Sequence, residues 1–232
     1  MTTSPSGGSG PGVITPDGCA VDFYALLEAG DEPQIVHAAV APGSSILELG
    51  CGAGRVTRPL VALGHRVTAV DESAEMLALV SGAETVQARI EELDLGRRFG
   101  AVLLASHLVN VPDEPVRRAL LASCARHVAA DGCVVIQQHP PAWFDKAGPV
   151  EQVRPDGMIF RLRDVSRPGT DLVSATVEYV AGDRTWTQSF TTGRLTGEQL
   201  AASLSAVGLV FDRYLTHDES WLRAVRRPAP AG

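Results

Sequence analysis

Short apolar runs alternate with amphipathic stretches between Ser45 and Gln138, and this alternation constrains the fold more than any other feature of the sequence. It is typical of a parallel β-sheet whose strands are joined by crossover helices. Five strands are predicted, at residues 45–49, 66–70, 85–88, 101–105 and 133–138. The fourth run is apolar throughout, which predicts a central strand buried on both faces. Helices are predicted at residues 55–63, at 73–80 with Ser73 as N-cap, and from Asp113 to His127.

The pattern changes after the Pro140-Pro141 pair. Segments at residues 158–164, 172–180 and 184–191 alternate apolar and polar residues, as antiparallel strands with one solvated face do. Thr196 and Gln199 have the spacing of a capping box that opens a last helix, and strands at 209–215 and 221–225 follow. The prediction is an α/β fold with a doubly wound, mostly parallel seven-stranded sheet, helices on both faces, and an antiparallel β insertion between strand 5 and the last helix.

The 27 acidic residues outnumber the 20 Lys and Arg residues, which gives a formal net charge of −7. Nucleic-acid binding needs clustered cations that neutralise phosphates, so no nucleic-acid partner is expected. The four cysteines show no C-x-x-C spacing, and we expect reduced buried thiols and no metal site. No apolar run approaches the ~18 residues of a membrane span, and the Ser/Gly/Pro-rich start lacks a signal peptide. A cytoplasmic protein without a membrane partner is predicted.

Three glycines at alternate positions, Gly50, Gly52 and Gly54, follow the first predicted strand. In a turn between a strand and a helix, glycine lets a ligand approach the backbone closely, because no Cβ is in the way. Asp71 ends the next strand, 21 positions after Gly50. A carboxylate there can accept hydrogen bonds from ribose hydroxyls. This order of elements predicts a ligand that carries a nucleoside.

The spacing of the glycines distinguishes between two such ligands. A dinucleotide fingerprint has glycine at relative positions 1, 3 and 6, with a pyrophosphate at the helix N-terminus. Here the third glycine is at position 5, and position 6 is Arg55. Glu48, two residues before the turn, would repel a pyrophosphate, whereas it complements a ligand with an ammonium and a sulfonium. The pattern favours S-adenosylmethionine over NAD, and an NAD-dependent oxidoreductase is the second enzyme hypothesis.

The stretch from Glu48 to Gly54, Glu-Leu-Gly-Cys-Gly-Ala-Gly, resembles motif I of class I, Rossmann-like S-adenosylmethionine-dependent methyltransferases of the small-molecule type. That motif typically reads E/D-x-G-x-G-x-G, and Asp71 matches the ribose-binding position of the family. The resemblance covers roughly residues 46–138. Two positions depart from the family: Ala88-Arg89-Ile90 stands where an acid often lies near the adenine amino group, and Gly100 replaces a common Asp. The resemblance implies S-adenosylmethionine as cofactor and S-adenosylhomocysteine as product, with Ile90 packed on the adenine.

The predicted cofactor contacts lie mostly at the glycine turn and at the ends of the following strands. They are Tyr24, Glu48, Gly50, Cys51, Gly52, Gly54, Arg55, Asp71, Glu72, Met76, Arg89, Ile90 and Ser106. The methyl acceptor is expected above the carboxyl ends of the central strands. Its predicted contacts are Tyr24, His107, Asn110, His139, Trp143 and Phe144.

Methyl transfer to an acceptor depends mainly on holding both reactants aligned and away from water. A general base helps only if the acceptor is a hydroxyl or a protonated amine. His139 is the first candidate and His107 the second, because both follow a predicted strand and histidine titrates near neutral pH. A structural hydrogen bond within the loop is the alternative for each histidine, and core packing is the alternative for Trp143 and Phe144.

The predicted organisation has four parts. Residues 1–15 are a disordered tail, 16–44 an N-terminal helical lid, 45–145 and 192–227 the methyltransferase core, and 146–191 an antiparallel β flap. The lid is implied by the family resemblance. The flap is similar in position to that of small-molecule N-methyltransferases, including those acting on sugar amines, where it forms the acceptor pocket or pairs subunits. An exposed strand edge also predicts a homodimer.

The leading hypothesis is transfer of a methyl group from S-adenosylmethionine to a nitrogen or oxygen of a small molecule, such as an intermediate of secondary metabolism. The alternative from another class is a non-methylating S-adenosylmethionine-binding protein or repurposed enzyme, because the sequence contains no obligatory base motif. An RNA methyltransferase is a lesser alternative, which the net charge disfavours.

Overall fold

The computed structural model describes residues 7–227 and has the predicted α/β architecture. Its strands, β1 to β12 in chain order, are Gly7–Ser9, Ser45–Leu49, Arg66–Asp71, Glu84–Gln87, Phe99–Leu104, Val128–Gln137, Val150–Val153, Ile159–Gly169, Leu172–Ala181, Arg184–Gly193, Leu209–Tyr214 and Trp221–Arg226. Its helices, α1 to α7, are Val21–Tyr24, Glu32–Ala39, Thr57–Ala62, Ala74–Leu77, Glu114–His127, Pro141–Lys146 and Gly197–Ala206. Short 3-10 turns occur at Ile90–Glu92 and Leu108–Asn110. No helix within this range is long and apolar enough to cross a membrane.

The described chain forms two compact units. Residues 28–141 and 195–227 make up one, called the core unit here, and residues 7–27 and 142–194 make up the other, called the insertion unit. The core unit contains a seven-stranded sheet with the order β11-β12-β6-β5-β2-β3-β4. The strands from β6 to β4 run parallel, and β12 and β11 are antiparallel additions at one edge. The predicted seven-stranded, mostly parallel sheet is therefore confirmed.

Alternating residues of the central strands pack into two separate clusters. Leu47 and Val102 pack with the apolar face of α5 and α7. Ile46 and Leu103 pack with α2 and α3. All four side chains are fully buried, so this sheet is covered on both faces, as a parallel sheet must be.

The chain order of the strands reverses between β2 and β5. The chain continues from β2 to β3 and β4 on one side, whereas β5 and β6 lie on the other. In open α/β sheets, ligands bind outside the carboxyl ends of the strands at such a switch point. Leu49 and Leu104, at the ends of these two strands, are paired in register, and the candidate site begins just beyond them.

Local capping signals fix several helix starts. The side chains of Ser73 and Asp113 accept hydrogen bonds from the backbone N–H groups of Met76 and Val116. Thr196 and Gln199 form the predicted reciprocal capping box. The helix predicted at residues 73–80 ends at Leu77, and the one predicted at 55–63 spans Thr57–Ala62, because turns take up the remaining residues.

The insertion unit is an antiparallel sheet with the order β1-β10-β9-β8-β7. Its apolar cluster is aromatic: Phe23 stacks on Tyr179 with ring centroids 4.0 Å apart and also packs on the buried Trp186. The predicted hairpin turn at Gly182-Asp183 is present, whereas the turn expected at Pro168-Gly169 falls two residues later, at Thr170-Asp171. The predicted β insertion is thus confirmed, with one additional strand, β7.

Part of the predicted disordered tail is ordered. Gly7–Ser9 forms β1 and pairs with β10, Ser9 and Thr187 share a side-chain hydrogen bond of 2.7 Å, and the Trp186 indole N–H donates to the carbonyl of Pro11 at 2.8 Å. The prediction of disorder over residues 1–15 is therefore wrong for this segment, and residues 1–6 lie outside the described range. The composition of residues 1–15 indicates low hydrophobicity, but it carries no information about a neighbouring strand with unpaired backbone groups.

The predicted boundaries also shift. Residues 16–44, predicted as one helical lid, divide between the units after Leu27, so that α1 belongs to the insertion unit and α2 to the core unit. The insertion unit begins at Ala142 and ends at Arg194 rather than spanning residues 146–191. Closure of a lid over the site stays a prediction.

Candidate functional site

The turn after β2 requires glycine at alternate positions. Gly50, Gly52 and Gly54 have φ values of +71°, +53° and +78°, in the region that side chains with a Cβ rarely adopt. The N–H of Gly50 donates to the carbonyl of Val70 at 2.8 Å, which ties the turn to the end of β3. A Cβ on Gly50 would lie 3.0 Å from Leu108 Cδ1. The turn therefore has the tight, side-chain-free geometry that close approach of a ligand needs.

Asp71 is held at the end of β3 by two backbone donors. Its Oδ2 accepts from the N–H of Gly52 at 2.8 Å, and its Oδ1 accepts from the N–H of Ser73 at 2.9 Å. The structure thus fixes the carboxylate beside the glycine turn, and its role toward ribose stays a prediction.

Glu48 lies near the end of β2 and is only 3% exposed. Its Oε2 accepts a hydrogen bond of 2.6 Å from the Thr57 hydroxyl. Burial raises the pKa of Glu48 to about 7; the Thr57 hydrogen bond and the charge of Arg55 oppose the rise, and the charge of Asp71 adds to it. A buried carboxylate that is costly to ionise gains from an incoming cation.

Arg55 forms an ion pair with Glu32 at the start of α2, and both side chains are mostly buried. Burial alone would raise the pKa of Glu32, but the hydrogen bond and charge of Arg55 outweigh it and lower the pKa. The guanidinium predicted to contact a cofactor is thus already engaged by a carboxylate of the chain. Cys51 is buried beside it in the turn, and burial raises the pKa of its thiol.

The remaining predicted cofactor residues of the core unit differ in how close they lie to the glycine turn and in how exposed they are. Ile90 lies beside the glycine turn, since its Cδ1 would be 3.6 Å from a Cβ on Gly50. Met76 is buried on α4. Glu72 is exposed, and the Arg89 side chain is 58% exposed and paired with neighbouring acids. Ile90 therefore lies next to the turn, whereas the Arg89 side chain is largely exposed to solvent.

The chain is strained where it leaves the central strand β5. Ser106 and His107 are consecutive non-glycine residues with φ of +55° and +58°, a conformation that costs free energy and is often kept at functional sites. The N–H of Ser106 donates to Gln137 Oε1 at 2.8 Å, and the His107 carbonyl accepts from the N–H of Asn110 at 2.8 Å. These hydrogen bonds hold the strained turn at the carboxyl edge of the sheet.

The structure brings together the two candidate catalytic histidines. The rings of His107 and His139 stack with centroids 3.9 Å apart and an interplanar angle of 14°. The buried Asn110 supports the pair, because its Oδ1 accepts from the N–H of His139 at 2.8 Å. Three of the residues predicted to contact the acceptor thus form one cluster in the core unit.

Both histidines are held neutral. Burial lowers the pKa of His107 to about 4, and burial together with the charge of His107 lowers the pKa of His139 to about 3. The expected titration near neutral pH is therefore absent, since both side chains are partly buried and this disfavours the charged form. Within the described residues, Nδ1 of His107 is buried without a hydrogen-bond partner, which makes it a candidate to meet a polar group of a ligand.

Tyr24, Trp143 and Phe144 belong to the insertion unit. The Tyr24 hydroxyl accepts from the Cys19 thiol at 3.2 Å and donates to Gln188 Oε1 at 3.4 Å. The rings of Trp143 and Phe144 meet edge to face with centroids 5.1 Å apart. Their roles toward cofactor or acceptor stay predictions.

Sequence reasoning missed three residues that shape the site. Glu32 pairs with Arg55, Thr57 hydrogen-bonds Glu48, and Gln137 supports the turn at Ser106. Each acts from a different element, so no local motif points to it. A Thr at the first position of the helix that follows the glycines is the nearest to a sequence signal.

Comparison with known proteins identifies a domain in the part of the core unit that holds the glycine turn. Residues 46–132 match the family described as Methyltransferase domain. Over 122 residues the chain is 31% identical to dTDP-3-amino-3,6-dideoxy-alpha-D-glucopyranose N,N-dimethyltransferase of Streptomyces fradiae, covering 50% of this chain and 47% of that protein. Over 113 residues it is 30% identical to cypemycin N-terminal methyltransferase of a Streptomyces species, covering 46% of each chain. The chain spans less than half the length of these curated relatives.

A solved structure shares the fold over nearly the whole chain. The sugar N-methyltransferase of a Streptoalloteichus species superposes with a TM-score of 0.72 at 23% identity, covering 98% of this chain and 99% of that one. At this identity the similarity establishes the architecture, and the chemistry has to be argued from the residues.

Proposed function

We propose that the protein transfers a methyl group from S-adenosylmethionine to a nitrogen or oxygen of a small molecule. The premise is that residues 46–132 of this chain form a methyltransferase domain of the class I, S-adenosylmethionine-dependent type. The observation that carries the proposal is the glycine turn with an acid on each side. Glu48 lies on β2 and Asp71 at the end of the adjacent β3, and Asp71 binds the N–H of Gly52 within the turn.

The residues at the turn fit the parts of the cofactor. Asp71, fixed by two N–H groups, is a carboxylate at the end of β3, the position from which an acid can accept hydrogen bonds from ribose hydroxyls. Ile90 lies next to Gly50, where an apolar side chain can pack on an adenine ring. Glu48 is a buried carboxylate suited to an ammonium. The cofactor supplies a methyl group on a sulfonium that is already activated for displacement.

The neutral histidine pair supports an acceptor that donates a hydrogen bond. The buried Nδ1 of His107 can accept from an amine or a hydroxyl and so orient its lone pair. His139 was predicted as the base, but a pKa of about 3 makes it a weak one near neutral pH. Orientation of the acceptor at the stacked rings is therefore the role we propose for the pair, with proton transfer secondary.

The substrate class is proposed from the same cluster and from the relatives, which are named for methylation of an amino sugar and of a peptide N-terminus. Incubation with S-adenosylmethionine and a panel of amino sugars, peptide amines and phenols tests it. We expect a product heavier by one methyl group together with S-adenosylhomocysteine. Cofactor binding without any methylated product across the panel would favour the non-methylating alternative.

A homodimer and a cytoplasmic location are also proposals. β7 is an edge strand of the sheet in the insertion unit, and Val150 and Val153 on it are 60% and 62% exposed, so pairing with a second copy would cover them. Val153→Lys should shift the mass measured by light scattering from dimer to monomer, and an unchanged mass would rule this edge out. The four cysteines are free, as is usual in a reducing compartment.

A further inference from the structure

Thr57 contacts the buried acid of the site from a different element. It is the first residue of α3, is fully buried, and donates from its hydroxyl to Glu48 Oε2 at 2.6 Å. Within residues 7–227 no other group hydrogen-bonds the Glu48 carboxylate, so the other oxygen is left for a ligand. A β-branched side chain has few rotamers, and a hydrogen bond to a carboxylate is stronger than a neutral one.

We infer that Thr57 is a positioning residue, which holds Glu48 oriented and ionised so that the carboxylate receives the ammonium of S-adenosylmethionine. The inference rests on the proposed function, because it presupposes that this cofactor binds at the glycine turn. It assigns a specific task to a residue that lies outside the glycine motif.

The charges that face Glu48 make this hydrogen bond important. Asp71 repels the ionised carboxylate, whereas Arg55 attracts it but is also paired with Glu32. The Cys51 thiol is buried nearby, and the charge of Glu48 helps to raise its pKa. Burial is the largest effect that disfavours ionisation of Glu48, and the Thr57 hydroxyl is the strongest of the groups that favour the ionised form. Without it, Glu48 would be mostly protonated at neutral pH and would attract an ammonium less.

The test compares two ligands that differ at one end. S-adenosylhomocysteine has the amino and carboxyl groups, and 5′-methylthioadenosine lacks both. Calorimetry of Thr57→Val, which removes the hydroxyl at similar volume, should show about tenfold weaker binding of S-adenosylhomocysteine with methylthioadenosine affinity unchanged. Thr57→Ser, which keeps the hydroxyl, should bind both ligands as the wild type does.

Two further measurements separate positioning from general damage. In the wild type the affinity for S-adenosylhomocysteine should fall below about pH 7, where Glu48 becomes protonated; in Thr57→Val this fall should begin at higher pH. In a Glu48→Gln background, Thr57→Val should have no additional effect on affinity. Should Thr57→Val not fold, Thr57→Ala, which also lacks the hydroxyl, takes its place in all three measurements.

Equal loss of both ligands, or unchanged binding of S-adenosylhomocysteine, would overturn the inference. Failure of the wild type to bind either ligand is a different result, since it would contradict the proposed function itself.

Discussion

The imidazole rings of His107 and His139 lie face to face, 3.9 Å apart between centroids, where the chain leaves β5 and β6. Their loops partly bury both side chains, and the loss of solvation lowers both pKa values far below that of a free imidazole. Close stacking is compatible with neutral rings, whereas two imidazolium charges at this distance would repel strongly. The pair therefore offers neutral hydrogen-bonding groups near neutral pH.

His139→Ala should lower turnover while leaving the affinity for S-adenosylhomocysteine nearly intact. The substitution removes one ring of the stack but leaves the glycine turn and Asp71 in place. Steady-state kinetics at saturating cofactor, together with calorimetry, would measure the two effects. Normal turnover from pH 6 to 9 would show that His139 is structural.

The same burial predicts loss of stability in mild acid. The pKa of His107 is about 4 in the folded protein against about 6.5 when unfolded. The unfolded chain therefore binds more protons between these values, and stability falls as the pH drops through that window. At pH 5 the cost from His107 is about 2 kcal/mol relative to pH 8.

Replacing His107 by Phe, which keeps an aromatic ring in the stack, should remove the part of the acid sensitivity that His107 contributes, whereas the part from His139 should remain. Urea unfolding at pH 8 and pH 5 gives the free energy of unfolding of the wild type and of His107→Phe. The difference between the two proteins at each pH measures the contribution of His107. An equal drop in stability for both would mean that His107 titrates normally.

Glu48 has the opposite dependence. Its pKa is raised to about 7 in the folded protein from about 4.3 when unfolded. Between these two pKa values the folded state binds more protons than the unfolded state. The free energy of unfolding of the ligand-free protein therefore falls as the pH rises from about 4.5 to 7. Glu48→Gln should therefore stabilise the ligand-free protein at pH 8 by up to about 4 kcal/mol.

That gain should be accompanied by a loss of function. Glu48→Gln removes the charge that complements the ammonium, so S-adenosylhomocysteine should bind at least tenfold more weakly at pH 8. Thermal unfolding and calorimetry on the same preparation give both values. A variant that is less stable but binds normally would contradict the assignment of Glu48.

Asp71→Ala should weaken cofactor binding by about 1–3 kcal/mol, through loss of charge-assisted hydrogen bonds to the ribose. The carboxylate also anchors Gly52 and Ser73, so part of the loss would come from loosening of the turn. Asp71→Asn, which keeps one acceptor, is the matched control and should lose less. Unchanged affinity in the Ala variant would contradict the ribose role.

What could be predicted from the sequence was local. Ser73, Asp113 and Thr196 cap helices through groups three residues away, and the glycines after β2 act through their own backbone. Such signals are complete within a short window, so the sequence predicts the cap positions, the glycine turn and all strands except β1 and β7.

Features that depend on distant parts of the chain were missed. β1 forms because β10 offers an edge almost 180 residues away, and the neutral state of His139 depends on burial and on His107. The pairing of Arg55 with Glu32 likewise joins α2 to the turn. Periodicity and motif spacing carry no information about these contacts.

Binding of S-adenosylhomocysteine and of NADH to the wild-type protein, measured side by side by calorimetry, tests the central claim most directly. The glycine turn with Glu48 and Asp71 predicts micromolar binding of S-adenosylhomocysteine at one site per chain and no binding of NADH. Binding of NADH, or no binding of S-adenosylhomocysteine, would contradict the assignment of the site.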